Sequence, residues 1–308
     1  MPSASDDSSP PGGAQTLFDR DLLDRRRLRA LAAGDTGARY LLKAIGAELA
    51  ERLSLVERRF AEAAEIGGHT GETAALLQAG GQIDRLLRVE RHADLLADWP
   101  GGLVGDDEAL PLPENGLDLV VSPLALHLTN DTPGALIQIR RALRPDGLFL
   151  GAALGGDTLS ELRAALIGAE AELTGGVSPR VAPFIDVRDA GALLQRAGFA
   201  LPVTDQDRIT VRYDSMFELM RDLRAMGMTN MLRERSRRPA TRGLFLRAAA
   251  LYAERFADAD GRVRATFDIV YMSGWKPHES QQKPLRPGSA KTRLADALRD
   301  RSGESGAG

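Results

Sequence analysis

The stretch 61–72, AEAAEIGGHTGE, decides how this chain folds. An apolar approach ends at Ile66, the turn Gly67, Gly68, His69, Thr70, Gly71 follows, and the helical pattern ETAALLQA continues from Glu72. A glycine-rich turn between a strand and a helix lets a ligand approach the backbone and meet free N–H groups at the positive end of a helix dipole. Nucleotide cofactors sit in such turns. The imidazole is the anomaly, because a turn that hugs a ligand favours another glycine at 69.

Outward from the turn, short apolar runs alternate with helical stretches. The runs are AEAAEI (61–66), LLRVE (86–90), GLVGDD (102–107), LDLVVS (117–122) and GLFLGAAL (147–154), with ETAALLQA, RHADLLADW and DTPGALIQIRRALRP between them. This alternation predicts an α/β fold with a parallel sheet. The helix over 132–144 is well marked: Asp131 and Thr132 can cap it, Leu136, Ile139 and Leu143 share a face, and Arg144-Pro145 ends it. Beyond 154 the pattern predicts helices over 159–173 and 186–197, a strand at RITVRY (208–213), a long helical insertion over 214–257 and a last strand at ATFDIVYMSGW (265–275). Residues 17–60 read as two amphipathic helices, in the first of which Arg25, Arg26 and Arg27 form a solvated face. Compositional bias marks 1–16 as a disordered tail and 284–308 as a flexible one, leaving 61–283 as one α/β domain.

Acidic residues close the first three strands. Glu65 precedes the turn, Glu90 ends the second strand, and Asp106 and Asp107 end the third. In an open parallel sheet, ligands bind beyond the carboxyl ends of the strands, beside the topological switch point. A carboxylate after the second strand can accept from both ribose hydroxyls, and one after the third from an adenine amino group. The dinucleotide pattern G-x-G-x-x-G would need glycine at 69 and 72, where the chain has His69 and Glu72. A pyrophosphate would sit poorly beside Glu72 in the first helical turn. A nucleoside carrying its own positive charges, such as S-adenosyl-L-methionine, suits this acidic rim better.

Bulk composition narrows the function further. The 308 residues are 43% hydrophobic and 27% charged, as in a soluble globular protein. Forty basic and 43 acidic residues give a net charge of −3, so no global field draws the chain to nucleic acid. There are no cysteines, which removes disulfides, thiolate metal sites and cysteine nucleophiles together. No apolar run approaches the ~20 residues of a membrane span, so membrane contact is expected to be peripheral at most. The opening MPSASDDSSPPGGA has no apolar core for a secretion signal, and a bacterial cytoplasmic location is expected.

The stretches AEIGGHTG, VE and DDEALPLPENGLDLVVSPLALHLTNDTPGALIQIRRALRPDGLFLGA resemble class I S-adenosylmethionine methyltransferases of the type that includes the biotin-pathway malonyl-carrier-protein methyltransferase. Narrower stretches are LFDRDL, LGGDTLSELR, GGVSPRVAPF, FELMRDLRAMGMTN and DGRVRATFDIVYMSGWKPHESQQKPLRPGSA. These closely resemble the complex I assembly factor 5 family, whose mitochondrial member hydroxylates an arginine on a quinone-site subunit of NADH dehydrogenase. The resemblance runs from about Leu17 to Ala290. It implies a Rossmann-like seven-stranded sheet whose last strand is antiparallel, with the helices around 214–257 as a lid. It also implies that Glu65, Gly67, Gly68 and Gly71 line the methionine end of the cofactor, that Glu90 takes the ribose and Asp106, with Asp107 beside it, the adenine. Ser122 would face the pocket. The family turn reads D-x-G-x-G-x-G, so Glu65 stands for aspartate and His69 for the middle glycine.

Three residues are candidates for chemistry. His127, just after the fourth strand, could face the pocket; Asp157, after the fifth, and Glu279, in SGWKPHESQ, could pair a substrate guanidinium. The methionines of 216–231 read as core or lid packing. His92-x-Asp94 resembles half of an iron site, but at i and i+2 on a helix the two side chains diverge, and no metal site is expected. The expected function is therefore an enzyme of the methyltransferase fold that modifies a protein arginine during complex I assembly. Two alternatives stand beside it: a methyltransferase of a small molecule or carrier-protein thioester, for which Arg180 would receive the carboxylate, and a non-catalytic assembly chaperone.

Overall fold

A computed structural model describes residues 16–97 and 99–281. Two helices lead in, α1 (Arg20–Ala33) and α2 (Tyr40–Ser54). The alternating part follows as β1 (Phe60–Ile66), α3 (Glu72–Ala79), β2 (Ile83–Glu90), α4 (Ala93–Leu96), β3 (Gly102–Val104), β4 (Leu117–Pro123), α5 (Thr132–Ala142) and β5 (Leu143–Leu154). Then come α6 (Ser160–Thr174), α7 (Val187–Arg196), β6 (Ala200–Tyr213), α8 (Met216–Ala225), α9 (Arg242–Phe256) and β7 (Val263–Trp275). The sheet order is β3-β2-β1-β4-β5-β7-β6. β1 to β5 pair in parallel, and β7 runs antiparallel to both β5 and β6. The chain divides at Pro277/His278 into two units, of which the second is described only as far as Gln281. The expected tails therefore lie outside the described residues, apart from Thr16.

The apolar runs read as near-continuous because helices cover both faces of the sheet. Successive strand residues point to opposite faces. Leu119, Val121, Leu148 and Leu150 accordingly pack with α2, α3, α6 and α9, whereas Val120 and Phe149 pack with α5 and α7. Local signals set the helix ends: the Asp131 carboxylate accepts from the Gly134 N–H (2.9 Å), and α1 stops at Gly34, whose φ is 70°.

Three expectations change. β3 ends at Val104, because after the Gly105 N–H bonds to the Glu90 carbonyl (2.9 Å) the Asp106 carboxylate turns the chain by accepting from the Glu108 N–H (2.8 Å). β6 begins at Ala200, not 208; it is an edge strand paired only with β7, so its first half carries the exposed polar sequence VTDQD. The helix expected in RHADLLADW shrinks to Ala93–Leu96, with His92 extended at its N-cap. The insertion between β6 and β7 is present as α8 and α9, joined by a non-helical segment, 226–241. Among the described residues no helix is long and apolar enough to cross a membrane.

Candidate functional site

The order reverses between β1 and β4, and the glycine turn lies at that switch point. Gly67 and Gly71 have φ of 67° and 84°, where a side chain would be strained. At Gly68 a Cβ would overlap the Glu65 carboxylate, which is folded beneath the turn and fully buried. Gly71 caps α3 without a side chain, and the buried Glu65 carboxylate lies beneath the start of the helix, where the nearby Ala74 N–H favours its charge. Glu65 thus supports the turn instead of lining the methionine end, as the resemblance implied.

A buried cation organises this corner. Arg88 of β2, 2% exposed, donates through Nε to Glu65 (2.7 Å) and through Nη2 to Glu90 (3.2 Å) and the His69 carbonyl (2.9 Å). Glu90 also accepts from the His69 N–H. His69 has a left-handed φ of 57°, a conformation that costs an L-residue about 1 kcal/mol, and its backbone is held on both sides by Arg88 and Glu90. Its ring turns to a cavity with Nε2 buried and unpartnered. Burial, then the charges of Arg27, Arg39 and Arg88, hold its pKa down to about 3, so the ring is neutral. The imidazole is therefore a tolerated occupant of the turn. His69→Gly is expected to leave stability equal to the wild type or higher by about 1 kcal/mol. A thermal midpoint several degrees lower would show that the turn depends on the ring.

Glu90 and Asp106 stand on the same edge, as the register Glu90↔Val104 requires. Helix α1 lies across them. Arg20 pairs with Asp106 (2.7 Å), Asp107 and Glu108 (2.8 Å). Arg91 joins Asp106 (2.5 Å) to Asp24 of α1 (2.8 Å), and Arg27 faces Glu90 and Asp24 with its Nε buried and without a hydrogen-bond partner. Arg20 and Arg91 escaped the sequence reading, and Arg27, expected on a solvated face, instead turns inward toward Glu90 with its Nε buried. Arg20, Asp24 and Arg27 fall at i, i+4 and i+7, one face of a helix, and that spacing was the available signal. Arg88 carried no local signal inside LLRVE.

Between α1, α2, α6, α8 and the turn lies a cavity of about 360 Å³. Gly67, His69, Thr70 and His127 reach it from the cofactor side, and Leu154, Leu159, Leu162, Leu166 and Phe267 form a buried aliphatic wall. His127 is 8% exposed, meets Phe184 edge-on at 5.8 Å, and has neither ring nitrogen hydrogen-bonded. The Met-rich face divides: Met216 is in the core, and Met220, Met226, Met228 and Met231 line the cavity. Arg180 lines it too, but its guanidinium is held by Glu170 (2.6 Å), which drops the Glu170 pKa to about 2.

Other candidates lie elsewhere. Ser122 is fully buried and its hydroxyl donates to the Ile66 carbonyl (3.1 Å), stitching β4 to β1 instead of facing the pocket. The Asp157 side chain is 63% exposed on a turn outside the cavity lining, paired with Arg208 (2.5 Å). Glu279 is exposed within the second unit, beside a short turn in which His278 Nδ1 meets Ser280 Oγ (2.7 Å). His92 approaches Asp24 (3.5 Å), and among the described residues no three histidines or carboxylates are placed to hold a metal.

The fit of S-adenosylmethionine can be judged from these groups. Glu90, 3% exposed, is a carboxylate acceptor at the end of β2, the cavity opens directly onto Gly67, His69 and Thr70, and the His69 Nε2 there lacks a partner. Asp106 and Asp107 supply acceptors one strand over, engaged here by Arg20 and Arg91. The donor set fits the group.

Comparison with known proteins agrees with the geometry. Residues 64–151 match the family described as a methyltransferase domain. The arginine-hydroxylase NDUFAF5, mitochondrial, of Danio rerio is 41% identical over 287 residues, covering 91% of this chain and 89% of that protein. The malonyl-[acyl-carrier protein] O-methyltransferase of Laribacter hongkongensis is 36% identical over 286 residues, covering 86% and 94%. Among solved structures, the YcgJ protein of Bacillus subtilis superposes with a TM-score of 0.52 at 14% identity, covering 75% of this chain and 98% of its own. With identity at this level sustained over nearly the whole length, and with the strand order and antiparallel last strand of the methyltransferase fold, the chain belongs to the family of the NDUFAF5 arginine-hydroxylases.

Proposed function

We propose that this chain is an S-adenosylmethionine-binding enzyme of the methyltransferase fold that modifies a protein arginine, by hydroxylation, during assembly of respiratory complex I. One observation carries the reading. The stretches with the narrower resemblance, GGVSPRVAPF and FELMRDLRAMGMTN, contribute Arg180 to Ala182, Phe184, Met220 and Leu223 to Met226, followed by Met228 to Asn230, to the cavity wall beside the turn. The segments that distinguish this family are thus the ones that shape its cavity. The higher identity to an arginine-hydroxylase (41%) than to a malonyl-carrier-protein methyltransferase (36%) supports the same choice.

When bound, the cofactor supplies an activated methyl group and a charged sulfonium. Glu90 would accept from the ribose hydroxyls, Asp106 and Asp107 from the adenine side, and the glycine turn would face the methionine end. His69 and His127, both held neutral near pKa 3, act as hydrogen-bonding groups and not as cations. Asp35 is the carboxylate in the cavity lining that a guanidinium could pair. Inserting oxygen into a C–H bond also consumes an oxidant and two electrons from a separate donor. The proposed partner is the quinone-site subunit, met on the side of the membrane where that subunit is assembled: the cytoplasm in a bacterium, with peripheral membrane contact.

Mass spectrometry of the quinone-site subunit from a strain lacking this protein tests the reading. The expected result is the loss of one oxygen from an arginine; an arginine that still carries it would rule out the hydroxylase. The carrier-protein reading predicts instead that the purified chain forms the methyl ester of a malonyl thioester. The chaperone reading predicts no saturable S-adenosylmethionine binding by calorimetry.

A further inference from the structure

The cavity extends beyond the glycine turn and Asp35 into a region whose lining is basic and apolar. Its lining holds five arginines, Arg26, Arg27, Arg39, Arg180 and Arg224, against the single carboxylate of Asp35. Arg39 and Arg180 are neutralised by Glu72 (3.2 Å) and Glu170 (2.6 Å), whereas Arg27 and Arg224 have no hydrogen-bond or ion-pair partner among the described residues. Beyond Asp35 the lining is therefore net basic and suits an anion. The wall opposite is aliphatic and buried: Leu154, Leu159, Leu162 and Leu166 are each 4–7% exposed, and Phe267 is 1% exposed.

Two polar groups break the apolar lining. The Arg27 Nε–H is buried without an acceptor, and His127 has both nitrogens buried and unsatisfied. They are close enough that the Arg27 charge, after burial, is what holds the His127 pKa down. Leaving such groups unpaired costs about 1–3 kcal/mol each, a cost that a ligand oxygen removes. A cation beside a neutral imidazole, set against an aliphatic wall, is the donor set for a carboxylate on an apolar chain.

We propose that the cavity binds, alongside the cofactor, an aliphatic carboxylate whose head group meets Arg27 and His127 and whose chain lies on the Leu154–Leu166 wall. The volume of about 360 Å³ falls in the range of small-molecule sites, roughly 300–1,000 Å³, and suits a medium-length chain. The inference is independent of the arginine-directed reaction, and it requires the ligand to be a separate molecule from the protein substrate.

Calorimetry of the full chain with decanoate tests it, with decanol and decylamine as charge controls and with S-adenosylhomocysteine either absent or saturating. The expected result is saturable decanoate binding, at least tenfold tighter than decanol and retained with the homocysteine present, with no binding of decylamine. Arg27→Met and His127→Phe should each weaken decanoate at least tenfold. Leu162→Trp, which fills the wall, should abolish decanoate binding while S-adenosylhomocysteine still binds and so reports a folded chain. Decylamine binding as well as decanoate would show an indifferent apolar hole. Displacement by S-adenosylhomocysteine would assign Arg27 and His127 to the cofactor's own carboxylate. Absence of decanoate binding by a chain that binds the homocysteine would end the proposal without touching the proposed function.

Discussion

Arg88→Met is expected to lower stability by about 3–5 kcal/mol, the cost of leaving buried carboxylates without their cation. At about 2–4 °C per kcal/mol for domains somewhat smaller than this one, the thermal midpoint should fall by roughly 6–20 °C. Arg88 is 2% exposed, and its Nε and Nη2 hold Glu65 at 2.7 Å and Glu90 at 3.2 Å, carboxylates that are themselves 0% and 3% exposed. Nη1 also satisfies the Leu95 carbonyl (3.2 Å) and Nη2 that of His69. Methionine fills much of the same volume and satisfies none of these. The mechanism makes a second, sharper forecast: replacing a whole buried ion cluster by neutral groups is often close to neutral. Arg88→Met combined with Glu65→Gln and Glu90→Gln should therefore recover most of the loss in a denaturation experiment. A triple variant as unstable as the single one would show that Arg88 matters through packing and not through charge.

Above about pH 8, where the Glu90 carboxylate is ionised, Glu90→Ala should weaken S-adenosylmethionine binding by at least about 100-fold. Hydrogen bonds to a charged acceptor contribute about 1.5–3 kcal/mol each, and the ribose offers two hydroxyls. Calorimetry decides it, and an unchanged dissociation constant would remove Glu90 from the cofactor site. The same residue sets a pH dependence. Burial first, then the Glu65 charge, push its pKa up to about 8 against the pull of Arg88, Arg27 and the His69 N–H. The unfolded chain releases this proton near the ordinary value of 4.5, and the folded chain keeps it until about 8. Across that window the folded state binds more protons, so stability declines as pH rises from about 4.5 to about 8. Glu90→Gln should flatten that slope. Cofactor affinity should move the opposite way, rising toward pH 8, because the ionised carboxylate is the better acceptor.

Much of the architecture was legible locally. The turn at 67–71, the Asp131 cap, the helix expected over 132–144, which stops at Ala142 because Leu143 and Arg144 already belong to β5, and the strands β1, β2, β4 and β7 follow from apolar runs, glycine placement and capping residues, all features of neighbouring residues in the chain. The edge half of β6 was hidden, because an edge strand that buries neither face need not be apolar. The site divides in the same way. The position of Glu90 and Asp106 at adjacent strand ends was readable from spacing, because parallel strands bring their carboxyl ends together. Asp157 looked equivalent by that logic, yet β5 continues to Leu154 and the chain leaves the sheet on an exposed turn, where Arg208 takes the carboxylate.

By itself, then, the order of residues determined the sheet, the turn and the acidic rim, because hydrophobic periodicity and turn chemistry act over a few residues. Only the tertiary structure decided which charges are spent on which. Glu65 turned out to be a buried support beneath the turn, Arg88 its buried counter-ion, and one face of α1 a row of groups laid over Glu90, Asp106 and Asp107. Those ion pairs join residues 23 to 87 positions apart, and the energy of a buried charge depends on which distant partner the fold delivers, a quantity no local window of sequence contains.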